Sequence, residues 1–155
     1  MIPKIEIIPF ELQYSKDFFQ LNVEWLEKFF YVEPFDQEVL SNPKSNIIDK
    51  GGYVFFAKMN DEIIGTVALM KHGPCHELTK MAVSPKYQGL KIGQKLIDHC
   101  IAFSKSKKWD SIILYSHRKL VPAIHLYKKV GFIEVALEEN CQYERSDIKM
   151  KLELN

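Results

Sequence analysis

Glu77, Tyr127 and the run Gln88-Gly89-Leu90-Lys91-Ile92-Gly93-Gln94 are the residues of this chain best suited to chemistry. The run follows an apolar segment, Met81-Ala82-Val83, and a proline turn at Ser84-Pro85, and an amphipathic pattern begins directly after it. A glycine-containing loop that opens a helix gathers main-chain N–H groups with no intrahelical partner at the positive end of the helix dipole. Such a point suits a phosphate. Gly89 and Gly93 have no Cβ, so a ligand or a neighbouring strand can come close to the backbone. An ordinary strand-to-helix turn with a solvated Lys91 has the same outline, so the loop alone does not decide the matter. Upstream, Glu77-Leu78-Thr79-Lys80-Met81-Ala82-Val83 reads as a strand that brings a carboxylate to the same region. Downstream, Tyr127 lies in Pro122-Ala123-Ile124-His125-Leu126-Tyr127-Lys128-Lys129-Val130-Gly131-Phe132, a short helix with Pro in its first turn and Gly past its end.

The surrounding pattern indicates which elements hold these groups. Residues 4–9 read as a strand, and 15–30 as a helix with Phe18, Leu21, Trp25, Leu26 and Phe29 at helical spacing. A second short helix covers 36–40 and ends before Asn42-Pro43. Residues 53–59 and 62–70 form a hairpin about Asn60-Asp61, and His72-Gly73-Pro74 turns the chain into the strand 75–83. The main helix covers 90–107, with Ile92, Leu96, Cys100 and Phe103 as its stripe. A strand at 111–115, the Tyr127 helix at 121–130 and a strand at 133–137 follow. Residues 143–154 alternate Ile148, Met150 and Leu152 against charges, as an edge strand with one wet face does. That order implies a mixed sheet with helices on both faces.

Together these segments resemble the GCN5-related N-acetyltransferase (GNAT) superfamily. Its pyrophosphate loop reads Gln/Arg-x-x-Gly-x-Gly/Ala, and here Lys91 stands where the first of those glycines is usual. The late-helix pattern Ala-x-x-x-Tyr-x-x-x-Gly-Phe is complete as Ala123, Tyr127, Gly131 and Phe132. The resemblance is strongest from Glu77 to Phe132 and implies an α/β fold with a mostly antiparallel sheet of about seven strands. It also implies acetyl-coenzyme A as acyl donor, without a metal, and a primary amine as acceptor.

On that resemblance, residues Gln88 to Gln94 (with Gly89, Leu90, Lys91, Ile92 and Gly93) hold the pyrophosphate through their amides. The main chain of Met81, Ala82 and Val83 pairs with the pantetheine arm like an added strand. Glu77 occupies the place of a glutamate that deprotonates the amine, directly or through water; beside apolar neighbours such a carboxylate holds its proton more tightly. A strand-end salt bridge, with Arg118 for example, is the other reading of Glu77, and His76 and His117 are rival bases. Tyr127 is the candidate acid for the leaving thiolate, against a plain packing role. Leu120 stands where many members have an Asn, and Ser116 or His117 can take over that contact. The first two helices usually build the acceptor pocket; there Tyr31 and Glu33, and later in the chain His117, are the candidate acceptor-binding residues.

Composition narrows the alternatives. A net charge of +1 gives no reason to expect nucleic acid or an anionic membrane as partner. At 155 residues, 46% hydrophobic and 26% charged, the chain is expected to be a single domain over residues 1–155, which the resemblance makes an acetyltransferase domain. It has no apolar run near the ~18 residues a spanning helix needs and no signal-peptide layout, so a cytoplasmic location is expected. Cys75, Cys100 and Cys141 are odd in number and widely spaced, which argues against a disulfide framework and against metal-ligand spacing. A monomer or a homodimer is expected. Two functional rivals remain: a coenzyme A-binding sensor without catalysis, and a generic nucleotide-phosphate binder, which lacks its usual glycine motifs.

Overall fold

Apolar residues occupy both faces of the central strands, and that double burial organises the molecule. The computed structural model describes residues 4–87, 89–139 and 145–154. Among them lie strands β1 (Ile5–Pro9), β2 (Tyr53–Met59), β3 (Glu62–His72), β4 (Cys75–Val83), β5 (Ser111–Ser116), β6 (Ile133–Val135) and β7 (Ile148–Glu153). Helices α1 (Ser15–Phe29), α2 (Pro34–Ser41), α3 (Ile92–Ser106) and α4 (Val121–Lys129) connect them. The sheet has the order β1-β2-β3-β4-β5-β7-β6, and every neighbouring pair is antiparallel except β4 and β5. This is the mixed sheet read from the order of elements, with the mostly antiparallel pairing that the resemblance implied. No helix among the described residues is long and apolar enough to cross a membrane.

The β2–β3 hairpin turns at Asn60 and Asp61, whose φ of 49° and 66° supply the left-handed pair that a tight hairpin needs. Alternation then sends Phe55, Ala57, Val67 and Leu69 to one face, against Leu96, Ile97 and Cys100 of α3. Val54, Phe56, Ala68 and Met70 go to the other, against Phe18 and Leu26 of α1 and Val39 and Leu40 of α2. Burying each such side chain stabilises by roughly 1.5–3 kcal/mol. Gly65 lets α3 approach the sheet closely, since a Cβ there would lie 3.1 Å from Ile92 Cγ2.

Boundaries differ from the sequence reading at a few points. Helix α3 begins at Ile92 because Lys91 takes a left-handed conformation (φ 57°, ψ 34°) and serves as its N-cap. Strand β6 stops at Val135, short of residue 137. Strand β7 begins at Ile148, and the start expected at residue 143 lies outside the described residues.

Two irregularities of β4 open the sheet. It pairs with β5 only at His76–Ile112 and Glu77–Ile113. Beyond that point β4 stays with β3 and β5 stays with β7, so a wedge opens between them. Within the wedge, Thr79 faces Ala68 and Ala82 faces Thr66, which leaves Lys80 and Met81 together opposite Val67. This is a β-bulge, and Lys80 has φ of 55° in it.

Candidate active site

The wedge contains a cavity of about 130 Å³. It is well above the ~15 Å³ that one water needs, and it opens to solvent. Trp25 and Leu26 of α1 line it from one side of the sheet, and Ala123 and Tyr127 of α4 from the other. Thr79, Lys80 and Met81 of β4 and Tyr115 and Ser116 of β5 form its flanks. Residues from helices on opposite faces thus share one cavity, which passes through the split in the sheet.

At the α3 end, the chain leaves β4 through a short helical turn at Pro85–Tyr87. Gln88 lies outside the described residues. Gly89 has φ of 88°, and nothing lies within 4 Å of where a Cβ would sit. Leu90 is exposed, while Ile92 is buried and anchors the helix. The N-cap Lys91 makes no side-chain cap bond, and the first turn of α3 holds no acidic residue. The first intrahelical bond runs from Lys95 N–H to Lys91 O at 3.1 Å. The amides of Ile92, Gly93 and Gln94 therefore have no intrahelical acceptor. The Gln94 amide group turns away to Asp98 at 3.3 Å. A Cβ on Gly93 would meet Met81 Cε at 3.9 Å, so the loop adjoins the cavity wall. These groups suit a phosphate ester: open backbone donors, no carboxylate in the first turn of α3, and a lysine at the cap.

The main chain of β4 adds to this. Ser84 N–H donates to Ile64 O at 2.8 Å, so by antiparallel alternation the N–H and C=O of Val83 face away from β3, toward the wedge. Ala82 is buried and pairs with β3, and Met81 stands on the bulge beside the cavity.

The titratable candidates fall in different places. Tyr127 lies half-buried on the cavity wall, its ring edge-on to Phe132 at 6.0 Å. Burial pushes its phenol up to about 12, so it keeps its proton at neutral pH. Glu77 is buried on the α1/α2 face, opposite Met70, but it is not part of the wall. The apolar niche expected for it is corrected: its Oε1 lies 2.6 Å from His72 Nε2. That hydrogen bond, with the charge of Glu77, raises His72 above the ordinary histidine value. Arg118, the partner offered in the sequence reading, pairs with Glu134 instead.

His76 points to the α3 face, where it stacks on Trp109 at 3.6 Å and lies 3.3 Å from Gly51 O. Burial lowers its pKa, and its position removes it as a base for the wedge. His117 does line the cavity. Its Nδ1 accepts the Lys119 N–H at 3.0 Å, and its Nε2 lies 3.3 Å from Asp147 Oδ2. Both ring nitrogens are thus committed, and the ring sits edge-on to Phe30. Ser116 and Leu120 also line the cavity.

The acceptor-side expectations need correction at Glu33 and Tyr31. Glu33 is no exposed loop carboxylate: it is 5% accessible, caps α2 and receives Arg145 Nη1 at 2.7 Å. Tyr31 is exposed and does not line the cavity.

Sequence reasoning missed the charge cluster beside them. Lys80 Nζ donates to Asp36 Oδ1 at 3.1 Å, and Arg145 grips Asp36 at 2.7 and 3.0 Å. Burial alone would raise the Asp36 carboxyl, but the Arg145 hydrogen bonds and the charges of Lys80 and Arg145 outweigh it and hold it below the carboxylate range. Burial lowers the Lys80 ammonium against the opposing pull of Asp36 and Glu77. The available signal was a lysine in mid-strand directly before Met81; the bulge that turns it inward has no sequence mark.

Comparison with known proteins places this geometry. Residues 16–132 match the profile of the Acetyltransferase (GNAT) family. An uncharacterised N-acetyltransferase of Schizosaccharomyces pombe is 31% identical over 121 residues, 75% of this chain and 74% of that protein. A GNAT-family acetyltransferase structure from Staphylococcus aureus superposes with a TM-score of 0.86 at 26% identity, covering 98% of this chain and 100% of the other. The PaiA N-acetyltransferase of Thermoplasma acidophilum, solved in complex with coenzyme A, shares the fold with a TM-score of 0.74 at 19% identity, covering 97% and 99%.

Proposed function

The chain belongs to the GNAT acetyltransferase family, and from that membership we propose that it transfers an acetyl group from acetyl-coenzyme A to a primary amine by direct attack on the thioester. One observation carries the mechanism. The wedge cavity is open to both layers, with the phenol of Tyr127 on the α3/α4 side and the carboxylate of Glu77 on the α1/α2 side. The donor enters from the side of α3, with its pyrophosphate on the amides of residues 89–94 and its pantetheine along Met81 and Val83. The amine enters past Trp25 and Phe30.

Each face then meets one proton demand of the reaction. The attacking amine must lose a proton on the acceptor face. Glu77 takes it through an intervening water, since its carboxylate lies behind the wall rather than on it. Its partner His72 is half-buried and passes the proton outward. The departing thiolate forms on the donor face, where Tyr127 supplies its phenolic proton. Acyl transfer thus runs within one domain and needs positioning and two proton transfers.

Thiol release from acetyl-CoA against a panel of amines tests the reading. Coenzyme A alone should stabilise the fold, by about 2.7 kcal/mol at one hundred times its Kd. Binding without turnover on any amine would leave a coenzyme A sensor instead.

A further inference from the structure

The proposed reaction needs a primary amine on the α1/α2 side of the wedge, and the protein already holds one there. A regular strand would point Lys80 toward α3, on the face opposite Thr79. The bulge and the left-handed φ of 55° turn it the other way, so that its ammonium meets Asp36 of α2. For a lysine this backbone costs about 1–2 kcal/mol. The side chain is 4% exposed and lines the cavity beside Met81, along which the thioester is placed. Non-glycine strain of this kind persists where surrounding structure enforces it, and it gathers at working sites.

Resting on the acetyltransferase reading above, we infer that Lys80 is an internal acceptor: without amine substrate, the protein acetylates Lys80 Nζ from acetyl-CoA. Since Asp36 is held ionised by Arg145, the Nζ ammonium first loses one proton to solvent by the water, Glu77 and His72 route proposed for a free amine. Its lone pair then forms the C–N bond to the acetyl carbonyl carbon. The C–S bond breaks with its electron pair on sulfur, Tyr127 protonates the sulfur, and the nitrogen loses a second proton, which restores the phenol. The products are acetyl-Lys80, coenzyme A thiol and the one proton released before attack.

The groups facing Nζ set the tempo. Asp36 and Glu77 favour the ammonium, whereas burial, Arg145 and the neighbouring His72 when charged oppose it. The ring of Phe35 lies 5.6 Å away and adds a weak cation contact. The Asp36 ion pair therefore restrains the reaction while amine substrate competes. Once acetylated, Lys80 loses its charge and fills acceptor space, so activity falls as the modification accumulates.

The test is incubation of the full chain with acetyl-CoA and no amine, followed by mapping acetylation at each lysine by mass spectrometry. Lys80 should be modified at least about ten-fold faster than exposed Lys4 or Lys105, because it is held beside the thioester. Labelling should quicken as pH rises, slow when an amine that turns over is added, and slow in Tyr127→Phe. Lys80→Arg keeps a cation for Asp36 and should remove the fast-labelling site. Labelling of Lys80 no faster than that of surface lysines would overturn the inference, as would an unmodified Lys80 in protein that releases thiol with an amine. A protein whose melting temperature does not respond to coenzyme A would overturn the acetyltransferase reading, and this inference with it. The wild-type map decides the question even where a variant fails to fold.

Discussion

Helices α2 and α3 both begin beside the wedge, yet their first turns are completed in opposite ways. At α2, Glu33 caps the helix, Pro34 fills the first turn and Asp36 returns its carboxylate to the Glu33 N–H at 3.0 Å. Arg145 and Lys80 then neutralise both carboxylates. At α3, a strained lysine stands at the cap, with no cap bond and no acid in the first turn. The first start is satisfied from within the chain, which is what a wall requires. The second leaves its donors without a side-chain cap, which is what the proposed pyrophosphate site requires.

Substitutions at the two helix starts should therefore have opposite signatures. Asp36→Ala removes the shared counter-charge of Lys80 and Arg145 and should cost about 3–5 kcal/mol of stability in urea denaturation. A loss below about 1 kcal/mol would mean that α2 is not held by these ions, and the contrast would fail. Gly93→Asp has room for its side chain and places an acid in the first turn of α3, so stability should hold or rise by about 0.3–1 kcal/mol. Coenzyme A affinity, measured by calorimetry, should nonetheless fall roughly 10²–10³-fold, the loss of two or so charge-assisted hydrogen bonds. Unchanged affinity would detach the loop from the donor.

Tyr127→Phe tests what lies between the two helix starts. It keeps the packing and removes the hydroxyl, so kcat should drop by about 10²-fold with coenzyme A binding little altered; an unchanged kcat returns Tyr127 to packing. A smaller effect is expected at Lys91→Gly. Relief of left-handed strain at about 1–2 kcal/mol exceeds the entropic cost of glycine at about 0.5–1 kcal/mol, so thermal stability should rise slightly. The least effect concerns pH. The folded-state pKa of His72 is raised by Glu77, so its contribution is complete below the ordinary histidine value and is lost as pH rises through the raised one. His72→Gln should flatten that part of the stability–pH curve.

Much of the fold could be read from the chain because its signals are local. Asn60-Asp61 marks a hairpin, the stripe of Ile92, Leu96 and Cys100 marks a helix, and Ile63, Ile64, Val67 and Leu69 mark a strand. Tyr127 and the α3 loop stood out by local motifs, and the structure places both at the wedge. What could not be read arises from long-range pairing. Glu33 looks exposed until Arg145, 112 residues later, covers it. Lys80 looks like an ordinary strand lysine until a bulge, visible only against β3, turns it toward Asp36. His72 gives no sign of meeting Glu77 until the β3–β4 hairpin closes.

The split between β4 and β5 also has a mechanical meaning. Strands β1 to β4 and strands β5, β7 and β6 are two half-sheets whose ladders join at only two register positions. Such a seam is a natural boundary between units that open independently, and amides along it should exchange with solvent sooner than those of β2 or β3. A ligand laid in the wedge, bonded to both banks, acts as a suture. Hydrogen exchange at Val83 and along the start of α3 should slow on addition of coenzyme A, and the two halves should then melt as one.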